Sequence, residues 1–314
     1  MMSVFILGSY AKALVMTADR IPLAGETLIG RDFRQTWGGK GSDMAVQAVR
    51  LGARVFYSGV VGDDAFGHEF IQLMRDEQVD ITALDVTAAL PTGAGLIIKD
   101  QQARNIIVVD MGANRLFTPE RVDAALPLLR ESAVALAQLE IPLETALYGL
   151  RRAKALGKIT VLNPAPARDL RGLDLSAVDY LTPNETEARV ALGLAPDDKR
   201  GNRDIAGLLL RTGCRHVVMT LGEAGSVVFT AGETLEIPPC RVKVVDSNGA
   251  GDSFNAALAV ALAEGRPIRE AAVFANATAA LCCTLWETVP SYHTRHQVSA
   301  FMQQSSMQRV SRSK

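Results

Sequence analysis

The sequence predicts an α/β fold: a mostly parallel sheet covered by helices on both faces, with a small β lid beside it. Three observations carry this expectation. Short apolar runs alternate with longer amphipathic ones over most of the 314 residues, the pattern of parallel strands joined by crossover helices. Two stretches, about residues 17–37 and 93–110, break that rhythm with strand-like pieces and no helix to follow. Several loops that follow strands are loaded with polar and glycine residues, at the strand ends where open parallel sheets bind ligands. The chain is expected to be one domain over 1–314, with lid segments at about 10–38 and 92–110.

The elements follow in chain order. An apolar run over 4–7 forms the first strand and ends in Gly8-Ser9. It is too short, and lacks the basic flank, for a secretory leader. A helix over 41–51, a strand over 55–61 and a helix over 67–77 come next. Pro22, Gly25 and Gly30 punctuate the first lid stretch, and strands over 94–98 and 106–109 flank Asp100-Gln101-Gln102 as a hairpin. Both pieces read as an antiparallel extension outside the main sheet, placed to cover a site. Helices are expected over 119–129, 143–156, 185–192, 204–212, 252–263 and 268–283. Strands are expected over 133–139 (ending at Glu140), 159–162 (ending at Asn163-Pro164-Ala165-Pro166), 180–181 (ending at Thr182-Pro183-Asn184-Glu185), 217–220 (ending at Leu221-Gly222) and 226–229. The β-branched run from Val242 to Val245 reads as a strand, and the polar tail from Gln303 is expected to fray.

Composition narrows the function. The chain is 48% hydrophobic and 21% charged, ordinary for a soluble enzyme, with a net charge of −1. That balance argues against broad attraction to nucleic acid or to an anionic membrane. No apolar run approaches the ~20 residues of a membrane span. The four cysteines, Cys214, Cys240, Cys282 and Cys283, lack metal-ligand spacing and are too few for a disulfide framework. A reducing, cytoplasmic location is the expectation.

The segment most loaded with chemistry is Asp246-Ser247-Asn248-Gly249-Ala250-Gly251-Asp252, between the Val242–Val245 run and an apolar helix. Amides at a helix N-terminus point at an anion, and glycine lets a ligand approach closely. A carboxylate at the mouth of an anion hole suits a base that deprotonates a hydroxyl as it attacks a phosphoryl group. Asp252 is equally well placed to cap the helix and complement its dipole. From this segment alone the two readings stand level.

Taken together, the motifs resemble the ribokinase, or PfkB, family of carbohydrate kinases, from about Leu7 to Ser291. The first signature is Gly38-Gly39-Lys40-Gly41, continuing to Leu51-Gly52-Ala53 and to Gly59-Val60-Val61-Gly62-Asp63-Asp64-Ala65-Phe66-Gly67. The second is Gly249-Ala250-Gly251-Asp252. Asn163-Pro164-Ala165-Pro166, Asn184-Glu185-Thr186-Glu187 and Thr220-Leu221-Gly222-Glu223-Ala224-Gly225 lie between them in the family order.

The resemblance implies a ribokinase-like three-layer sandwich and ATP-dependent phosphorylation of a primary hydroxyl on a small sugar. Asp252 matches the catalytic base, and Gly249, Ala250 and Gly251 match the anion hole. Gly38, Gly39, Lys40, Asp43 and Glu140 match positions lining the sugar site, where Ala11 and Ala13 also fall; taken alone, Lys40 reads equally as an exposed loop lysine. Asn184, Glu187, Thr220, Gly222, Gly225 and Asn276 match the nucleotide side. Glu187 would organise Mg²⁺ through water, although on its own it reads as a solvated helix residue. Asn276, in an apolar helix, has a rival reading as a buried structural amide. Asp246 and Ser291 match a candidate monovalent-cation (K⁺) site. The partners implied are ATP, a small sugar and a second copy joined through the lid strands, whose edges would otherwise stand exposed.

Three departures from the family pattern stand out. After the first strand the family carries an Asn and an Asp that hold sugar hydroxyls; here those positions are Ala11 and Ala13. Alternation along a strand points both alanines at the pocket and Lys12 away. Each sugar hydroxyl left without its partner loses about 1–3 kcal/mol. Glu287 stands where the family has a glycine and alters the loop of the K⁺ site, while in the sugar pocket the Asn after Gly-Gly-Lys-Gly is replaced by Asp43, returning an acidic group from another wall. We therefore expect a sugar other than D-ribose: a deoxypentose, a hexose or a more apolar polyol. Were Lys12 to enter the pocket, an anionic sugar would suit it. A nucleoside kinase and a catalytically silent sugar- or nucleotide-binding regulator are the alternatives. No Gly-x-Gly-x-x-Gly follows the first strand, which argues against a nicotinamide dehydrogenase.

Overall fold

The computed structural model describes residues 2–100 and 105–312. Gln101 and Gln102, expected at a hairpin tip, lie outside the described residues. The chain begins with β1 (Ser3–Leu7), β2 (Ala11–Thr17), β3 (Arg31–Thr36), α1 (Lys40–Arg50), β4 (Arg54–Gly62), α2 (Ala65–Asp76), β5 (Asp80–Thr87), β6 (Gly93–Lys99) and β7 (Asn105–Asp110). It continues through α3 (Pro119–Ala124), α4 (Leu126–Glu131), β8 (Val134–Ala137), α5 (Leu143–Ala155), β9 (Ile159–Leu162), β10 (Tyr180–Leu181), α6 (Glu185–Ala191), α7 (Asn202–Leu210), β11 (His216–Thr220), β12 (Ser226–Phe229) and β13 (Thr234–Ile237). Last come α8 (Ala250–Ala263), α9 (Ile268–Cys282) and α10 (Arg295–Arg312).

The main sheet has the order β13-β12-β11-β10-β9-β8-β1-β4-β5 and is parallel except where β12 runs against both its neighbours. Central strands are apolar on both faces because both faces are covered. Val4 and Ile6 of β1 join a core built with α1, α2, α8 and α9, whereas Phe5 and Leu7 join a second core built with α3 to α7. The alternation runs on through β8, with Val134 and Leu136 on one side and Ala135 and Ala137 on the other.

The two rhythm-breaking stretches pair into a second sheet of order β3-β2-β6-β7. Its outer pairs are antiparallel as expected, but the central β2–β6 pair is parallel, from Ala11 opposite Gly93 to Thr17 opposite Lys99. The sheet is therefore mixed, since its halves come from separate parts of the chain.

Other expectations are corrected. Residues 119–129 form two short helices meeting at Ala125, because Pro127 has no N–H to continue the first. Val242 to Val245 do not form a strand: the Val245 amide donates to the Cys283 carbonyl at the end of α9, 2.8 Å away. Within the tail, α10 extends to Arg312, where no helix was expected. Edge strand β5 and the mostly polar β3 escape the periodicity because little of them is buried, and β13, although Leu235 and Ile237 are buried, because it is only four residues long.

An aromatic cluster braces the turn after β1. Phe70 of α2 is fully buried, stacks on Tyr10 at 4.4 Å between ring centres and meets Tyr57 of β4 at 5.3 Å. Phe70→Ala is expected to cost about 3–5 kcal/mol of stability in urea denaturation. A loss below about 1 kcal/mol would show that the cluster closes over the cavity.

Candidate active site

The turn after β1, the turn after β8 and the start of α1 are tied into one knot. The Ser9 hydroxyl donates to Glu140 Oε2 at 2.7 Å and accepts from the Gly41 amide at 3.2 Å and from Gln138 at 2.9 Å. The same Glu140 oxygen accepts from the Lys40 amide at 2.7 Å. This contact needs close backbone approach. A Cβ on Gly41 would sit 2.2 Å from the Ser9 nitrogen, and Gly39, at φ +89°, lies against Tyr10 and Ala11. The Gly38-Gly39-Lys40-Gly41 run is thus a packing requirement as well as a ligand-facing loop.

The knot aims the Lys40 side chain at Asp252, with Nζ 3.7 Å from Oδ1. Asp252 lies in the first turn of α8 and is only 7% exposed. Its Oδ1 has no hydrogen-bond partner. Burial, offset in part by Lys40 and reinforced by Glu140 and Glu187, raises the Asp252 carboxyl to about 6. Asp252, and to a lesser degree Glu140, hold the Lys40 ammonium above the ordinary lysine range against the effect of burial. Asp43, on α1, is buried, and its Oδ1 also lacks a partner. Burial, then Asp252 and Glu140, push its carboxyl well above the usual range.

Gly249 opens α8 in the left-handed region at φ +76° and caps it without a side chain. Among the described residues no protein group accepts from the Gly249, Gly251 or Asp252 amides. The Ala250 amide, expected to belong to the same set, instead donates to the Ser247 carbonyl at 3.3 Å. A Cβ placed on Gly251 would meet nothing within 4 Å, so the space before this turn is open.

A cleft of about 640 Å³ joins these groups to the inner face of the second sheet. Ala11, Ala13, Gly38, Gly39, Lys40, Asp43, Glu140, Asp246, Gly249 and Asp252 all line it. Ala11 and Ala13 line the cleft as expected, but Lys12 lines it too instead of pointing away, with its ammonium engaged by Glu69.

The remaining anticipated residues, apart from Asp246, lie outside the cleft wall. Asn184 and Glu187 form a capping box on α6, each side chain accepting from the other's amide at 2.8 Å. Glu187 still acts electrostatically on Lys40 and Asp252. Thr220 ends β11 and bridges to Asn184; Gly222 and Gly225, at φ +56° and +92°, shape the turn beyond it. The Asn276 amide is engaged by Ser226 at 3.0 Å and by the Ile237 and Pro238 carbonyls at 3.3 and 3.2 Å, so it does structural service between β12 and β13. Asp246 accepts from the Asn248 and Glu287 amides, and Ser291 donates to the Thr288 carbonyl. Sequence reasoning missed Gln138, Thr36, Trp286 and Thr288. Only the position of Gln138, two residues before Glu140 at a strand end, carried any signal for it.

The comparisons with known proteins agree with this geometry. Residues 1–295 match the model of the pfkB family of carbohydrate kinases. The mouse ribokinase is 37% identical over 264 residues, covering 83% of this chain and 82% of that protein. The deoxyribokinase of Salmonella typhi is 31% identical over 304 residues, covering 96% and 99%. The structure of Arabidopsis thaliana ribokinase complexed with ribose and ATP superposes with a TM-score of 0.85 at 27% identity, covering 95% of this chain and 97% of that one. The chain belongs to the pfkB family of carbohydrate kinases. It has the ribokinase-like fold and is a phosphotransferase.

The buried acid of α1 gives a stability test. Because the folded-state pKa of Asp43 lies above its unfolded value of 3.8, stability falls as pH rises from that value through the folded one. Asp43→Asn removes the effect. Its stability relative to the parent should rise across that window and then level off, measured by urea denaturation between pH 4 and 8. A difference independent of pH would mean that Asp43 is ionised and paired throughout.

Proposed function

We propose that the protein transfers the γ-phosphoryl group of ATP to a primary hydroxyl of a small neutral sugar, with Asp252 as general base. The observation that carries this reading is a buried carboxylate whose Oδ1 meets only the Lys40 ammonium and makes no hydrogen bond, set beside the Gly249 and Gly251 amides, which no protein group among the described residues uses. A sugar hydroxyl in the cleft would donate its proton to Asp252 as its oxygen attacks the phosphorus in line and ADP leaves. Lys40 would hold that carboxylate in place, and the Gly249 and Gly251 amides would stabilise charge on the transferring group.

The residues fit Mg²⁺ in the way such an ion is usually held with nucleotides. Among the described residues no group of three or more acidic, His or Cys side chains could hold a metal ion, and Glu187 offers a single carboxylate. Glu187 would hold such an ion through water, since Mg²⁺ keeps much of its hydration. When bound, it would neutralise phosphate charge. A K⁺ ion by Asp246 and Ser291 would rest mainly on main-chain carbonyls, because both side chains already make protein hydrogen bonds.

Charge supports a neutral acceptor. Seven carboxylates line the cleft against four cations, one of which, Lys12, is turned to Glu69. The apolar wall of Ala11 and Ala13 suits a sugar with fewer hydroxyls on that side. Among ribose, 2-deoxyribose, other pentoses, hexoses and adenosine, D-ribose is expected not to be the fastest substrate in a coupled assay for ADP. The fastest turnover on ribose would refute the altered specificity, and the fastest on adenosine would favour a nucleoside kinase.

Two further outcomes are expected. Asp252→Asn should lower kcat by about 10²–10⁴ with ATP affinity nearly kept, and kcat/KM of the parent should fall as pH drops through about 6. Unchanged turnover would reduce Asp252 to a structural acid. The second sheet would act as the lid, and its outer face would join two copies. Leu96 and Val108 pair across β6 and β7 on that face and are 57% and 64% exposed. The pair Leu96→Glu and Val108→Glu should convert a dimer to a monomer in sedimentation.

A further inference from the structure

Three consecutive residues after α9 hold the second sheet. Trp286 lies under the Lys99 ammonium of β6, with Nζ 5.8 Å from the ring centre. The Glu287 carboxylate accepts from the Thr36 hydroxyl of β3 at 3.0 Å and faces Arg34 at 3.7 Å. The Thr288 hydroxyl donates to the Trp37 carbonyl at 3.2 Å. Glu287 also works in the opposite direction. Its amide donates at 3.2 Å to Asp246, whose carboxylate accepts from the Asn248 amide at 3.1 Å just before the Gly249 turn.

The backbone of Glu287 sits at φ +68°. Residues with a Cβ avoid this region, and those found there without a turn sequence to favour it are held by their surroundings. A glycine would adopt it freely. A glutamate here therefore costs the fold something, and the contacts just named are what its side chain gives in return.

We propose that Glu287 is a positioning residue that latches the second sheet to the anion-binding turn. Its carboxylate fixes β3 and its amide fixes Asp246, so the position of the sheet over the cleft and the aim of the Gly249 turn are set together. The latch rests on the kinase reading for its purpose, but its mechanical part stands apart from it. The only two tryptophans of the chain, Trp37 and Trp286, flank it.

The test compares Glu287→Gly, Glu287→Gln and Thr36→Val in the full-length protein. Glu287→Gly keeps the amide and relieves the backbone, so its melting temperature should not fall. Amide hydrogen exchange in the free protein should nevertheless speed up several-fold in both 31–36 and 246–249, and tryptophan emission should shift. Glu287→Gln keeps an acceptor for Thr36 and should match the parent within about twofold. Thr36→Val should reproduce the exchange effect and add little to Glu287→Gly. With 2-deoxy-D-ribose and D-ribose as probes, Glu287→Gly should raise the sugar KM at least about fivefold, with a smaller change in the KM for ATP. Faster exchange in 31–36 alone, an unchanged sugar KM on a sugar that is turned over, or effects of Thr36→Val and Glu287→Gly that multiply would each overturn the latch. If neither sugar is phosphorylated by any form, that failure belongs to the kinase reading, and exchange alone decides the latch.

Discussion

The site depends on one carboxylate oxygen. Glu140 Oε2 accepts from both the Ser9 hydroxyl and the Lys40 amide, which joins the C-terminal ends of β1 and β8 to the start of α1. Without that junction the Lys40 ammonium would have no fixed relation to Asp252. A hydrogen bond to a charged acceptor is among the stronger kinds, and it orients as well as stabilises. The consequence is electrostatic: Asp43, Glu140 and Asp252 crowd around one ammonium. Burial is what chiefly raises the Asp43 and Asp252 carboxyls, and the neighbouring carboxylates add to it while Lys40 opposes it.

The chain uses acidic residues at helix starts in two distinct ways. Asp64 caps α2 by accepting from the Gly67 amide, and the Asn184–Glu187 box closes α6. Both spend their oxygens on local amides, an arrangement worth about 1 kcal/mol. Asp252 stands in the first turn of α8 and forgoes that gain: Oδ1 has no hydrogen-bond partner and the amides before it donate to no side chain of the protein. The contrast within one molecule weighs against reading Asp252 as a cap, because the sequence can evidently make caps when it needs them. The helix dipole still favours the charge, which keeps the group titratable near neutrality despite its burial.

Much of this was legible in the sequence because the determinants were local. Central strands announce themselves by apolar runs, and α1, α5 and α8 by their apolar faces. Glycines forced by close approach, such as Gly39 and Gly41, coincide with the motif that identified the site. What escaped depended on partners distant in the chain. The polar β3 exists because β2 pairs with it, and β13 because it closes an edge. Val242 to Val245 look like a strand, yet the neighbour that takes the Val245 amide is the end of α9. Gln138 and Thr36 serve the site only through contacts 129 and 251 residues away, which no local pattern encodes. Asn276 shows the converse, a motif position whose side chain is already engaged by two strands.

The small sheet turns two substitutions into one change of surface. Ala11 and Ala13 fall on the cleft wall, and Lys12 between them, which also lines the cleft, has its charge engaged by Glu69. Thr36 stands opposite Ala13 in the β2–β3 register, and Arg34 opposite Val15. Of the polar groups on that wall, Thr36 and Arg34 of β3 are the ones that face Glu287. A wall stripped of its own hydrogen-bonding groups holds a ligand by exclusion of water and by shape, so its distance from the opposite wall matters more than it would for a hydrogen-bonded surface. A side chain that fixes that distance then acts on recognition without touching the ligand, and this is why an acid can be kept at a backbone position that glycine would occupy at lower cost.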